Sequence, residues 1–309
     1  MAETPEPKPR DMTRILIAGV AVVDIVMSID ELPRKAEKFR ARDAAIVGGG
    51  CAANAAAAVA RLGGEALLAA RVGRDPIGEM IVAGLEAEGV DCARVRRLEE
   101  GRSSFSSVYV DATGERQIVN FRDMQLSFDA GWLENDIPGD VDAILADTRW
   151  PQGAAVAMQA ARRLGVPGIM DAEAPVREAG EALARASHIA FSAQGLRDFT
   201  AIDDLDEALE AAERETGAWV GYTNGAKGVS FRNGGEAHRI PAFKVDIVDT
   251  LGAGDVWHGA FALALGEGET EMAAIRFANA VAAIKCTRFG GRAGTPGRDE
   301  VAEFLRKAA

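Results

Sequence analysis

Cysteine is scarce in this chain, with three residues in all, Cys51, Cys92 and Cys286. Their spacing makes neither a disulfide framework nor a zinc pattern, so a reducing, cytoplasmic setting is expected. Aromatic residues are only 6% of the sequence, and alanine dominates the apolar content, which favours closely packed helices over an aromatic-rich sandwich. No apolar run approaches ~18 residues, so no transmembrane span is expected. Positive charge is in deficit, since 35 Lys and Arg stand against 47 Asp and Glu for a formal net charge of −12. That argues against nucleic acid or an anionic membrane surface as the main partner, while local basic groups can still hold a small anion. Two nucleotide signatures are also missing. No G-x-x-x-x-G-K-[ST] loop occurs, and no G-x-G-x-x-G opens the first β–α unit, which disfavours a dinucleotide dehydrogenase.

What remains is 309 residues, 48% of them hydrophobic, enough for one large α/β domain with at most a small accessory piece. The opening "MAETPEPKPRD" lacks an apolar signal core and reads as a disordered lead-in over residues 1–12. "RILIAGVAVVDIV" (14–26) is a continuous apolar run, expected as a buried strand with Asp24 at its tip. "GGGCAANAAAAVARLG" (48–63) reads as a glycine turn feeding a helix, "EALLAARVG" (65–73) as a strand and "DPIGEMIVAGLEAEGV" (75–90) as a helix. Strand–helix alternation implies parallel βαβ units. "DAILAD" (142–147), "PGIMDAE" (167–173), "HIAFSA" (188–193) and "GAWVGYT" (217–223) continue the strand series. Two stretches break the rhythm, about 27–46 and 104–123. The second contains a hairpin around "DATGE", and both are expected outside the main sheet as a small β flap able to shield a site, with ordinary edge strands as the alternative.

The stretch richest in chemistry is "DTLGAGDVWHGAFALAL" (249–265). Gly252, Ala253 and Gly254 precede Asp255 and an apolar, helix-like run with no cation in the turn. Unpaired N–H groups at a helix start, approached past small residues, stabilise an anion without one. Asp255 is then either an ordinary N-terminal cap or a general base beside an anion hole. Upstream, "GGG" at 48–50 and Asn54 supply backbone freedom and a side-chain amide one turn on. "YTNGAKG" (222–228) is a strand and glycine turn compatible with nucleotide phosphates.

On these stretches the chain resembles the PfkB, or ribokinase-like, family of carbohydrate kinases from about residue 13 to 305. "DTLGAGD" is that family's C-terminal signature and "GGGCAANAAAAVARLG" fits its other signature region. The resemblance implies a largely parallel α/β sheet flanked by helices, with a small β lid that often makes a homodimer contact. It implies Asp255 as the base, Gly252, Ala253 and Gly254 as the anion hole, and Asp24, Gly49 and Asn54 as sugar-holding residues. Thr223, Gly225 and Gly228 would lie near the ATP phosphates and Asn279 near the adenine. A monovalent cation, K⁺, would fall near Asp249, Leu251 and Gly291. Mg²⁺ would arrive with ATP, but the family's N-x-x-E motif is replaced by Ser192-Ala193-Gln194-Gly195, so no protein ligand is assigned to it.

"GERQIVNF" (114–121), "LADTRWPQGA" (145–154), "PAFKVDIVDTLGAGDVWHGA" and "KCTRFGGRAGTP" are similar to the branch that phosphorylates the C1 hydroxyl of 6-deoxy-6-sulfofructose. That likeness implies Asn120 and Arg149 as readers of the sulfonate. Arg suits a fixed anion, having several directed donors. A surface ion pair for Arg149 and a solvent-facing hairpin edge for Asn120 are the plainer alternatives. Fructose and fructose 6-phosphate are the competing substrates, and a non-catalytic sugar-sensing module is the reading from another class. His258 is expected to pack or hydrogen-bond and Cys51 to pack, while Trp150 either packs beneath the sugar or in the core and Lys227 either meets a phosphate or is solvated.

Overall fold

The apolar run 14–26 does not fold as one strand. In the computed structural model, which describes residues 12–112 and 115–308, it divides into β1 (Arg14–Ala18) and β2 (Val22–Ser28). The break is Gly19-Val20-Ala21, and the two strands enter different sheets. Asp24 is therefore not at the tip of a core strand but midway along β2. Nearly all of the expected lead-in lies outside the described residues.

β2 pairs with β3 (Asp43–Gly49), which takes up Gly48 and Gly49 and leaves Gly50 alone as the turn, at φ 95°. Helix α1 (Cys51–Arg61) follows, then β4 (Glu65–Gly73), α2 (Pro76–Ala87) and β5 (Asp91–Leu98), a strand without a clear sequence signal. β6 (Phe105–Val110) and β7 (Arg116–Phe121) form the expected antiparallel hairpin, though part of its turn is outside the described residues. β3, β2, β6 and β7 make a four-stranded second sheet. Its first pair runs over 22–28 and 43–49, wider than the segment 27–46, and 29–42 between them is irregular.

The chain then alternates through β8 (Ala143–Asp147), α3 (Pro151–Leu164), β9 (Gly168–Ala172), the short α4 (Gly180–Leu183) and β10 (His188–Ser192). It continues with α5 (Ala193–Thr200), α6 (Leu205–Thr216) and β11 (Trp219–Thr223). An antiparallel pair without a clear sequence signal, β12 (Val229–Asn233) and β13 (Glu236–Ile240), closes one edge of the sheet. Three helices end the chain, α7 (Ala253–Gly266), α8 (Glu271–Cys286) and α9 (Arg298–Lys307). The nine-stranded order is β13-β12-β11-β10-β9-β8-β1-β4-β5, parallel from β11 to β5. No described helix is long and apolar enough to cross a membrane.

Strand order reverses between β1 and β8, and open α/β sheets bind ligands in the crevice at the carboxyl ends of such a pair. One sheet face carries α1, α2, α7, α8 and α9, the other α3 to α6, each over its own apolar cluster. α7 is buried continuously from Val256 to Leu265, so it has no water-facing stripe and its N-terminus is carried into the crevice. Its position depends on α1. A β-carbon at Gly259 would lie 2.5 Å from Ala55 O, so the two backbones touch where glycine and alanine meet.

Candidate active site

Gly252 begins α7 in the left-handed region, at φ 71°, a conformation that glycine adopts without strain. No side chain caps this helix. The Ala253 N–H bonds back to Thr250 O at 3.2 Å, which removes it from the expected anion hole. Among the described residues no acceptor meets the N–H groups of Gly252, Gly254 and Asp255. Three amides and the dipole of a 14-residue helix are left to face an anion.

Asp255 stands in the first turn, half-buried, and its Oδ2 accepts from Asn54 Nδ2 at 2.7 Å. Asn54 is 7% exposed and its Oδ1 is buried without a hydrogen-bond partner, which fits a ligand hydroxyl donating there. On the opposite wall, the place of a β-carbon at Gly49 is 2.3 Å from Asp24 Oδ2, so only glycine lets β3 pass this carboxylate. Burial raises the Asp24 carboxyl, with Ser106 opposing, and the charges of Asp255 and Arg292 reach it. Ser106 Oγ also accepts from Asn120 Nδ2 at 3.1 Å, which joins Asn120 to Asp24 across three strands of the small sheet.

The pH behaviour follows from burial. Desolvation raises Asp255 above the ordinary carboxylate range, helped by Glu173 and opposed by Asn54 and His258. A base must be ionised to act, so the acid limb of kcat/KM is expected to fall as pH drops through a value above the ordinary ~4 of aspartate. A pH–rate profile with its acid limb at or below pH ~4 would remove Asp255 from that role.

Several groups beside Asp255 had no signal in sequence spacing. Ligand atoms of Cys51, Asp171 and Asp255 lie within 4.8 Å of one another. Asp171, at 3% exposure on β9, has an Oδ1 with no hydrogen bond, 3.5 Å from His258 Nδ1. Burial, reinforced by Asp255, pushes its carboxyl well up, and burial likewise raises Cys51, which is a thiol rather than a reactive thiolate. His258 sits between Gly254 O (2.9 Å) and Ala190 O (3.2 Å), a packing role as expected. Asp147 accepts from Val20, Ala52 and Arg149 backbone N–H groups, tying the ends of β1, α1 and β8 together.

Arg149 is half-buried just past β8, its Nη2 3.4 Å from the Glu173 carboxylate. Beside it the charge pattern is unusual. Arg122, following β7, donates to Arg149 O at 2.7 Å and lies over Phe128. Arg71, 8% exposed on β4, is sandwiched by Phe128 and Trp150 at 4.7 Å each. Among the described residues neither Arg71 nor Arg122 has a carboxylate within ion-pair distance. Burial, then Arg122, lowers Arg71 to about 10. In a chain with an excess of acids, two neighbouring guanidinium groups without one mark a place suited to an external anion. Trp150 itself is fully buried and bonded to Phe128 O, a core residue.

Thr223, Gly225, Gly228 and Asn279 line one cleft of about 390 Å³ together with Ala253, Gly254 and Trp257. A β-carbon at Gly228 would meet Ile240 O at 2.2 Å. Asn279 commits its amide to Trp257 Nε1 and Pro241 O, and so shapes the wall. Lys227 is exposed. In the turn that lacks N-x-x-E, Ser192 caps α5 through Gly195 N, and no carboxylate is present at 192–195.

The residues expected around a monovalent cation do come together, but with a cation of the chain's own. Lys285 Nζ donates to Asp249 O at 2.8 Å and is 3.5 Å from Asp249 Oδ2. Leu251, Gly290 and Gly291 direct N–H groups at the same carboxylate.

A family model described as pfkB family carbohydrate kinase matches residues 12–298. A ribokinase of Bacillus subtilis is 30% identical over 95% of this chain and 100% of its own. An ATP-dependent ribose-1-phosphate kinase of Halopiger xanaduensis is 31% identical over 95% and 98%. Among solved structures, a Thermotoga maritima ribokinase superposes with a TM-score of 0.81 at 28% identity, covering 96% of this chain and 100% of that one.

Proposed function

Because this chain belongs to the pfkB family of carbohydrate kinases, we propose that it transfers the γ-phosphoryl group of ATP to the C1 hydroxyl of 6-deoxy-6-sulfofructose. ATP-dependent phosphoryl transfer to a sugar is the family's chemistry. One observation carries the reading of the site: a half-buried carboxylate, oriented by Asn54, at a helix start where the Gly252, Gly254 and Asp255 N–H groups meet no acceptor among the described residues.

In this reading Asp24, Gly49 and Asn54 hold the sugar and Asp255 takes the proton from its hydroxyl, worth ~10²–10⁴-fold. The N–H groups of Gly252 and Gly254 stabilise charge on the transferred group. ATP lies in the cleft of Thr223, Gly225, Gly228 and Asn279, which opens onto the same helix start. Mg²⁺ bound with the nucleotide would lower the charge of its phosphates. Residues 192–195 do not fit it as ligands, and no side chain is assigned to it. The four-stranded sheet acts as a lid that orients the partners and limits ATP hydrolysis. Its outer strands leave Ile46, Ile118 and Val119 more than half exposed, which supports a homodimer through this sheet.

The arginine group supports an anionic end on the substrate. Arg149→Ala is expected to raise KM for sulfofructose on the order of 10–100-fold, the usual worth of a charged hydrogen bond, with neutral fructose little changed. The deciding assay compares sulfofructose, fructose 6-phosphate, fructose and ribose with wild type and variant. Equal effects of the variant on charged and neutral sugars, or preference for ribose, would refute the sulfonate reading.

A further inference from the structure

We propose that the Lys285 ammonium is a built-in replacement for the monovalent cation, so that phosphoryl transfer here needs no K⁺. The inference rests on the kinase reading of the α7 N-terminus, whichever sugar is taken.

The argument starts from an odd residue in its setting. α8 is an alanine-rich helix buried along most of its inner face, and Lys285 in its last turn is 0% exposed. A fully buried lysine survives only with close oxygen partners. Its partner is the start of the loop leading to Gly252 and Gly254, since Nζ donates to Asp249 O at 2.8 Å and is 3.5 Å from Oδ2. The Asp249 carboxylate meanwhile accepts Leu251 N at 2.9 Å on one oxygen and Gly290 N and Gly291 N, at 3.2 and 3.1 Å, on the other. Val248 N and Asp249 N bond to Cys286 O, next to Lys285. One ammonium and one carboxylate thus bind the loop 248–251, the segment 290–291 and the end of α8 into a single block.

That donor set does not suit a metal cation as well. A bound K⁺ would have to share the Asp249 oxygens with an ammonium already on them, and like charges at such range repel strongly away from water. N–H groups, which repel cations, already sit on both carboxylate oxygens, Leu251 on one and Gly290 and Gly291 on the other. An ammonium is a compact single charge with three directed donors, so it can do what such an ion would do. It neutralises Asp249 and fixes the loop whose amides receive the phosphoryl group. Lys285 is a positioning residue in this role, acting through Asp249 and the loop.

The test uses the full chain and whichever sugar of the panel gives turnover, at equal ionic strength in KCl or tetramethylammonium chloride. Wild type is expected to turn over within about threefold in the two salts and to melt at the same temperature. Lys285→Ala, which removes the charge and opens its space, is expected to lose about tenfold or more of kcat in tetramethylammonium. KCl is expected to restore it and to raise its melting temperature. A wild type activated more than about threefold by K⁺, or melting higher in it, overturns the proposal. So does a Lys285→Ala protein that is unimpaired in tetramethylammonium, or one whose impairment K⁺ fails to relieve, which would reduce Lys285 to packing. Should that variant not fold, the two wild-type measurements decide. The melting comparison holds even if no sugar of the panel is turned over, so failure of the substrate reading and failure of this inference are separable.

Discussion

Asp255→Asn is expected to lose nearly all turnover while the protein becomes harder to melt. The amide cannot take a proton, so kcat should drop by ~10²–10⁴-fold, the usual worth of a positioned base. Sugar affinity should be largely kept, because Asp24, Gly49 and the unpartnered Oδ1 of Asn54 are untouched. The stability sign follows from linkage. Burial raises the folded-state Asp255 carboxyl above its unfolded value, so what this group adds to stability is present at low pH and lost as pH rises through the folded value. At neutral pH the ionised side chain is held at a cost to folding, and a neutral amide removes that cost. Single-turnover kinetics, sugar titration and thermal melting at pH 7 measure all three. A variant with unchanged kcat would exclude Asp255 as base. One that melts well below wild type would show that the carboxylate was a structural tie to Asn54.

Gly259→Val acts on the same pair from beneath. The new side chain would meet Ala55 backbone, its β-carbon 2.5 Å from the carbonyl oxygen and 3.0 Å from the α-carbon. Backbone cannot swing aside as a side chain can, so α1 must move away from α7. Overpacking of this kind costs about 3 kcal/mol or more at its upper end. Asn54 travels with α1 and Asp255 with α7, so their 2.7 Å hydrogen bond should break. Misplacement by ~1 Å costs on the order of 10²-fold in rate. Denaturant unfolding and kcat on the folded fraction test the two parts separately. A variant with wild-type stability would mean that the helices are not in backbone contact.

Much of this molecule was legible before its coordinates. The βαβ rhythm, the 104–121 hairpin and the helix after Gly252 are local patterns, written in apolar periodicity and glycine placement, and they came out in place. The run 14–26 misled because apolar continuity says nothing about which sheet a residue joins. Gly19 to Ala21 carries the chain from one sheet to the other, and Asp24 moves from a strand tip to the middle of β2. β12 and β13 carry no clear signal because short strands such as "VSFRN" and "EAHRI" mix charge with apolar residues at a sheet edge.

By itself, then, the sequence determined an alternating α/β architecture and a glycine-rich helix start with an acid in its first turn, because these depend on neighbours a few residues apart. Only the tertiary structure decided which charges are compensated. Asp171 came to lie beside Asp255, Arg71 and Arg122 came together with no carboxylate within ion-pair distance among the described residues, and Lys285 was set on Asp249, 36 residues away. Charge acts through space over several ångströms and more strongly where water is excluded, so its partners are fixed by folding and not by spacing along the chain.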